Sequence, residues 1–220
     1  MRKATIIRLV AALILIGVVI FFVWQWLPRP PRPNVALHQG IGQVMAQQAL
    51  SLLGPGGRLI VVVRDTSEVK APATDIQLQA FRQVCRQAGQ PVALTRLIRV
   101  DPLRPVAVPA GDFAELLRKT STNDVVVSFM GPPPLNNPAL TRLRGRHARV
   151  VALCTGPIPN QVNLRQLFAN GLLHAAVVDR REASLTALKP TMPQAWFDLF
   201  YRLVTATNQT EAPAPQAAGL

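Results

Sequence analysis

Ser67, His174 and Asp179 are the side chains of this sequence most readily assembled into a nucleophile, a base and an orienting carboxylate, the set that acyl transfer uses. Nothing in their local sequence supports that role, because any chain of this length offers such a triple. The only histidines are His38, His147 and His174, and no two have metal-ligand spacing. HExxH, CxxC and GxSxG patterns do not occur. Gly54-Pro55-Gly56-Gly57 lacks the Lys-Ser/Thr that a phosphate-cradling loop needs and reads as a turn. The sequence therefore assigns no catalytic residue, no metal ligand and no cofactor. What it does offer is polar residues directly after short apolar runs. These are Arg64, Asp65, Thr66 and Ser67, then Gly131, then Thr155 and Gly156, then Asp179 and Arg180, with Arg99-Val100-Asp101 after a further run. Hydroxyls, backbone amides and arginines in such places suit a small polar or anionic ligand. The plainer reading is that Asp and Thr there are turn and cap residues.

The runs that would position these residues are Leu59–Val63, Val92–Leu97, Val125–Phe129, Ala148–Leu153 and Leu173–Val178. They are short and rich in Val, Ile and Leu, as strands buried on both faces are. Helical segments separate them. Thr74-Asp75-Ile76-Gln77 reads as a capping box before the stripe Phe81, Val84, Cys85, Ala88, with Gly89 as the stop. Asp112 reads as the cap of a helix carrying Phe113, Leu116 and Leu117, and Asn137 as a cap before Pro138. Leu164, Leu167 and Phe168 form another stripe, closed by Gly171, and Ile41, Val44, Met45, Leu52 and Leu53 a leading one. Pro193 starts a last helix with Trp196, Phe197, Phe200, Leu203 and Val204 on one face. Strand–helix alternation implies right-handed crossovers and a parallel sheet. The expected fold is α/β: a three-layer, flavodoxin-like, five-stranded parallel sheet of order 2-1-3-4-5. In such a sheet ligands bind at the carboxyl ends of the strands.

Ahead of this domain lies Leu9–Leu27, an apolar run without charge that follows Arg2, Lys3 and Arg8. Nineteen residues of helix span about 28 Å, near the hydrocarbon thickness of a bilayer. The run exceeds the usual core of a cleavable signal, and it ends in Trp24-Gln25-Trp26 without a small-x-small site. It reads as a transmembrane anchor in contact with the lipid bilayer. The basic start favours a cytoplasmic N-terminus, which places the globular part on the periplasmic side of a bacterial inner membrane. The expected division is 1–27 for the cytoplasmic start and anchor, and 28–37 for a proline-rich stalk with four prolines in Pro28–Pro33. The α/β domain with its leading helix then covers 38–207, and 208–220 forms a disordered tail. The net charge is +13, and 20 of the 24 cations are arginines. They are scattered rather than clustered, so polyanion binding is open to the surface while no specific nucleic-acid partner is indicated. Cys85 and Cys154 are too few for a disulfide framework and read as core residues, with one bridge between them as the alternative. Asp101–Pro109 is a proline-stiffened connection suited to an interaction surface.

Four stretches together resemble one lobe of a type 1 periplasmic binding protein. They are Arg58-Leu-Ile-Val-Val-Val-Arg64-Asp65-Thr66, Phe81 to Ala88-Gly89, Asn123-Asp124-Val-Val-Val-Ser-Phe-Met-Gly131, and Ala148-Arg-Val-Val-Ala-Leu153. The resemblance covers Gly57 to Arg180 and rests on motifs general to α/β sheets. It implies a solute-binding or sensory lobe. The residues alone favour a membrane-anchored, non-enzymatic interaction or scaffold subunit of an envelope assembly, with a protein partner or a second copy of itself. A small hydrolase or transferase is the third expectation.

Overall fold

A computed structural model describes residues 2–26, 33–67, 70–99, 108–143, 145, 147–180 and 190–213. The chain divides into two compact units, Met1–Arg32 and Pro33–Leu220. The first unit is helix α1, Arg2–Trp26. Its side chains are described for 13–22 and 24–26, all of them exposed. Among the described residues no helix is long and apolar enough to cross a membrane, so the expected crossing at Leu9–Leu27 is not shown.

The second unit opens with helix α2, Val35–Leu52, whose first turn is closed by Asn34 accepting the Leu37 amide. The stalk expected over 28–37 thus yields to helix from Val35, and His38 lies on that helix; 28–32 are outside the described residues. Strand β1 (Leu59–Arg64), helix α3 (Pro72–Gln87) and strand β2 (Val92–Ile98) follow. Then come α4 (Ala110–Arg118), β3 (Val125–Ser128), α5 (Asn137–Arg142) and β4 (Arg149–Cys154). The chain goes on through α6 (Ile158–Gln161), α7 (Leu164–Ala169), β5 (Ala175–Asp179), α8 (Pro193–Phe200) and β6 (Tyr201–Thr205). The sheet order is β2-β1-β3-β4-β5-β6. The first five strands are parallel in the expected order, and β6 is antiparallel to β5, pairing Val177 with Leu203.

The sixth strand is a correction. The helix from Pro193 stops at Phe200, and Leu203 and Val204 belong to the strand. The spacing of Phe200, Leu203 and Val204 is compatible with a helix. The stretch Tyr-Arg-Leu-Val-Thr also suits a strand, and the open edge of β5 decides between them. Order continues past the expected start of the tail. Residues 206–211 form a 3-10 turn, Arg165 donates to the Thr210 and Ala212 carbonyls, and Ala212 is buried.

Three helix starts also shift. α3 begins at Pro72 and α4 at Ala110, so Thr74 and Asp112 fall inside the first turn rather than capping it. In α3, proline at N1 sets the start in place of a hydroxyl cap. α5 is capped by Asn136, whose Oδ1 accepts the Ala139 amide, not by Asn137. The stops hold at Gly89 and Gly171. Both have positive φ, and the Gln90 and Leu172 amides reach back to the Cys85 and Leu167 carbonyls to close a Schellman turn.

Alternate strand residues feed two cores. Ile60, Val62, Val126, Val150 and Ala176 face α4, α5 and α7, while Leu59, Val61, Val125, Val127 and Val177 face α2, α3 and α8. Cys154 belongs to the first core and Cys85 to the second. Both are free thiols on opposite faces of the sheet, which excludes the bridge between them. On α2, a Cβ at Gly40 would lie 2.3 Å from the Pro193 carbonyl oxygen, and one at Gly42 would lie 2.2 Å from that of Gln77. The two glycines let α8 and α3 seat against α2 on either side.

The amino ends of the central strands are joined by one carboxylate. Asp124, 2% exposed, accepts the Arg58 amide on Oδ1 at 2.8 Å. Its Oδ2 takes the Ser121 amide at 2.9 Å and Arg58 Nη2 at 2.9 Å. Burial pushes this carboxyl up, but the bonds from the Arg58 side chain and from the Ser121 and Arg58 amides, with the Arg58 charge, bring it down to about 2. Asp124→Ala leaves two strand-end amides without acceptors and should cost about 2–4 kcal/mol in urea unfolding. Because the folded carboxyl titrates below the unfolded one, its contribution is full above the ordinary Asp range and is lost as pH falls from about 4 to 2. An Asp124→Ala variant as stable as the parent at pH 7 would remove Asp124 from this role.

Candidate functional site

The carboxyl ends of the parallel strands form one rim, and the ligand candidates Arg64 to Ser67, Gly131, Thr155, Gly156, Asp179 and Arg180 lie on it, while His174 does not and Val100 and Asp101 are outside the described residues. Arg64 ends β1, followed by Asp65, Thr66 and Ser67. Gly131 lies three residues past β3, Thr155 and Gly156 follow β4, and Asp179 ends β5 ahead of Arg180. The chain leaves β1 toward β2 on one side and returns to β3 on the other, so the switch of direction falls between β1 and β3.

The residues differ in how far the fold already uses them. Asp65 accepts the Ser67 amide at 3.0 Å in a tight turn, and its own amide donates to the Ile98 carbonyl. That turn, mainly the Ser67 amide bond, lowers its carboxyl, with a contribution from the Arg99 charge. Asp179 accepts the Gly156 amide at 2.7 Å, which ties the β4 and β5 loops together. Burial raises the Asp179 carboxyl against that bond. Arg180 sends Nε to the Tyr201 carbonyl, and its amide bonds the Phe200 carbonyl, so it secures β6. Gly131, at φ +73°, is buried, and a Cβ there would lie 2.9 Å from two carbons of Ile158. Its bare backbone thus admits Ile158 of α6. The buried Ser128 hydroxyl donates to the Gly131 carbonyl and accepts the Met130 amide, and Pro132 and Pro133 are buried beside it. Arg64 and Thr66, both half-buried, make no hydrogen bond among the described residues. The connection 101–107 is outside the described residues, so the interaction surface expected at Asp101–Pro109 has no structural account there.

The nucleophile–base–carboxylate set does not assemble. His174 precedes β5 and Asp179 ends it, a separation of about 16 Å along an extended strand. Ser67 follows β1, three strands away from β5, about 14 Å across the sheet. His174 instead serves the amino end. Its amide donates to the Val150 carbonyl at 2.8 Å, and its Nδ1 accepts the Val150 amide at 3.2 Å. An accepting Nδ1 places the proton of the neutral ring on Nε2. The His147 ring lies edge-on, centroids 6.5 Å apart. Burial, then the His147 and Arg149 charges, lower the His174 imidazole to about 4. His38 is lowered too, by burial, and its Nδ1 lies 3.1 Å from Nε2 of the buried Gln77. Burial raises both thiols, that of Cys85 to about 11, so neither is a nucleophile at neutral pH. Among the described residues no group of three or more His, Cys, Asp or Glu could hold a metal ion.

Sequence reading missed a cleft of about 470 Å³ away from the rim, between β2 and α4, lined by Ile60, Leu94, Arg96, Asp112, Glu115 and Leu116 among others. Its signal was present in Val92–Ile98. That strand mixes Thr and Arg with its apolar residues, as a half-solvated edge does, and was grouped with the buried strands.

No protein-family model matches the chain, and no curated protein sequence does. Solved structures do resemble it. One is a substrate-binding protein of a sugar ABC transport system from Bordetella parapertussis, 14% identical with TM-score 0.49, covering 84% of this chain and 62% of that one. Another is a carbohydrate transporter solute binding protein from Agrobacterium Radiobacter in complex with D-arabinose, 11% identical with TM-score 0.48, covering 81% and 61%. A third is a sugar-binding protein from Bacillus halodurans, 12% identical with TM-score 0.47, covering 80% and 64%. The chain spans less than two thirds of the length of each. The likeness is one of fold: an α/β unit resembling type 1 periplasmic binding proteins, without a specific family.

The histidines make stability depend on pH above the acid range. A folded His174 that titrates near 4 against an unfolded 6.5 contributes fully above 6.5 and is lost as pH falls toward 4. Between pH 7 and 4.5 the folded state should lose about 1–2 kcal/mol, after allowance for solvent screening at a half-exposed ring. His174→Asn can accept the Val150 amide without titrating, and denaturant midpoints for it should fall less over that range. Equal pH dependence in the two proteins would rule out His174 as the source.

Proposed function

We propose that this chain is a membrane-tethered, extracytoplasmic α/β lobe that binds a small polar or anionic solute at the carboxyl rim of its sheet and performs no chemistry on it. The observation that carries this reading is the contrast at the switch point. Arg64 and Thr66 are half-buried there without a hydrogen bond among the described residues, while Asp179, Arg180 and Gly131 are engaged by the fold. Arg64 and Arg99 give that part of the rim positive charge, and Thr66 adds a hydroxyl. The separation of Ser67, His174 and Asp179 supports a non-enzymatic role. The tether rests on the charge-free run Leu9–Leu27, described as helix as far as Trp26, and on the basic residues before it.

A second reading, a scaffold subunit of an envelope assembly, is favoured by a specific observation. Asp65, Asp179 and Arg180 are turn, loop and strand fasteners, as a rim serving only the fold would have them. Polyanion binding needs a dense basic block that the sequence lacks.

Native mass spectrometry of the full chain, released from solubilised membranes, separates the two. The solute reading expects a retained small molecule that Arg64→Ala and Thr66→Ala lose without a change in melting temperature. A bound molecule unaffected by both variants, or none under any release condition, leaves the scaffold reading. For the tether, a reporter active only in the periplasm and fused after Leu220 should be active. Activity of a cytoplasm-only reporter at that site would reverse the topology.

A further inference from the structure

Among the described residues the edge strand β2 pairs on one side only, with β1, and at seven residues it is the longest of the six strands. The Ile98 carbonyl accepts the Asp65 amide, so the peptide groups of Ile98, and by alternation those of Arg96 and Leu94, point at β1. Those of Thr95 and Leu97 therefore point away from the sheet, two donors and two acceptors without a strand partner. Leu94 is 51% exposed and Leu97 58%, on opposite faces of the strand. The register slips between Leu59 and Ile60, which pair with Val92 and Leu94. This bulge turns Ala93 and Leu94 together into the cleft against α4.

The two faces of this edge differ in chemistry. Toward α4 the cleft has an apolar floor of Ile60, Leu94 and Leu116 under a rim of mixed charge, with Arg96, Asp112, Glu115 and Lys119. Toward α3 the strand carries Thr95, which accepts from Arg82 Nη2 at 3.1 Å, and by alternation Arg99 beyond Leu97. No carboxylate forms a salt bridge with Arg82 or Arg99 among the described residues. An alternating strand laid along this edge would meet an apolar floor with a rim of both charges on one side, and the cations Arg82 and Arg99 beside Leu97 on the other. A second copy of β2 fits poorly, because its own Arg82 would face the first across the pairing axis.

We propose that β2 is a docking edge for an extended segment of a partner protein. The segment is apolar on the face toward α4 and acidic on the face toward α3. It adds as a further strand, bonded to Thr95 and Leu97, with an apolar side chain in the cleft and carboxylates on Arg82 and Arg99. This surface runs along the edge of the sheet and shares Arg99 with the proposed solute site at the strand ends.

The test uses the full chain in detergent micelles, with empty micelles as the blank, and a fluorescein-labelled, amidated hexapeptide of alternating Leu and Glu. Anisotropy should show saturable binding, weakened by at least about tenfold in Arg82→Glu. It should be lost in Thr95→Pro, which removes an outward amide and no ladder bond. Circular dichroism reports whether each variant is folded. If Thr95→Pro does not fold, N-methylation of alternate peptide bonds in the probe tests the same hydrogen bonds from the other side. Equal binding of a matched hexapeptide of alternating Leu and Lys, binding unchanged by Arg82→Glu or by N-methylation, or no saturation up to about 1 mM would overturn the proposal. So would light scattering that shows a dimer which the Leu/Glu peptide does not dissociate.

Discussion

The buried carboxylate of Asp124 is the constraint on which the sheet depends. Parallel strands cannot be set in register by a tight turn, since each is separated from the next by a crossover. Here the register is set at the amino ends. Asp124 holds the Arg58 amide at the mouth of β1 and the Ser121 amide of its own turn. Its carbonyl accepts the Arg149 amide at the start of β4, and the Val125 amide bonds the Arg58 carbonyl. Three strands therefore start from one residue. The Arg58 guanidinium supplies the charge that keeps the carboxylate ionised despite burial, and it does so from the solvent side, where it stays hydrated. The arrangement avoids the desolvation of a second ion that makes fully buried pairs costly.

With the starts aligned, the lengths of the strands determine the shape of the rim. β1 runs to Arg64 while β3 ends at Ser128, so the chain turns early in the middle of the sheet. Ser128, Gly131 and the two buried prolines make that turn a fixed wall rather than a mobile flap, and Ile158 fills the space that a side chain at position 131 would take. Among the described residues the rim is thus closed over β3 and β4, and no such wall stands beside β1.

β1, β3, β4 and β5 were readable because they are buried on both faces, and burial writes itself as Val-Ile-Leu runs; β2, half-solvated, shares only part of that pattern. The stops at Gly89 and Gly171 were readable for a related reason, since a left-handed residue narrows the choice to few residue types. The starts were not, because Asp, Thr and Asn serve equally in a first turn. Pro72 decided one start and Asn136 another. β6 was hidden because a five-residue stretch with apolar Leu203 and Val204 has the spacing of either element, and only the free edge of β5 makes it a strand. The rim residues were legible as positions but not as roles. Sequence placed Asp179 and Arg180 correctly at a strand end. That they bind the fold's own backbone is a tertiary fact: Asp179 takes the Gly156 amide of the loop after β4, and Arg180 donates to the Tyr201 carbonyl of the antiparallel return.

The two ends of the sheet handle their polar groups differently, and that difference separates structure from function. At the amino end each demanding group is answered within the fold. Asp124 is fully bonded, His174 holds its neighbour's amide as a neutral ring, and Arg149 donates to the Leu52 carbonyl. Asp124 and His174 each keep one protonation state near neutrality, which suits a foundation and not a site. At the carboxyl end Asp65, Asp179 and Arg180 are likewise answered, while the side chains of Arg64 and Thr66 have no hydrogen bond among the described residues. The corner beside β1 is therefore the part of the rim on which the proposed solute site rests.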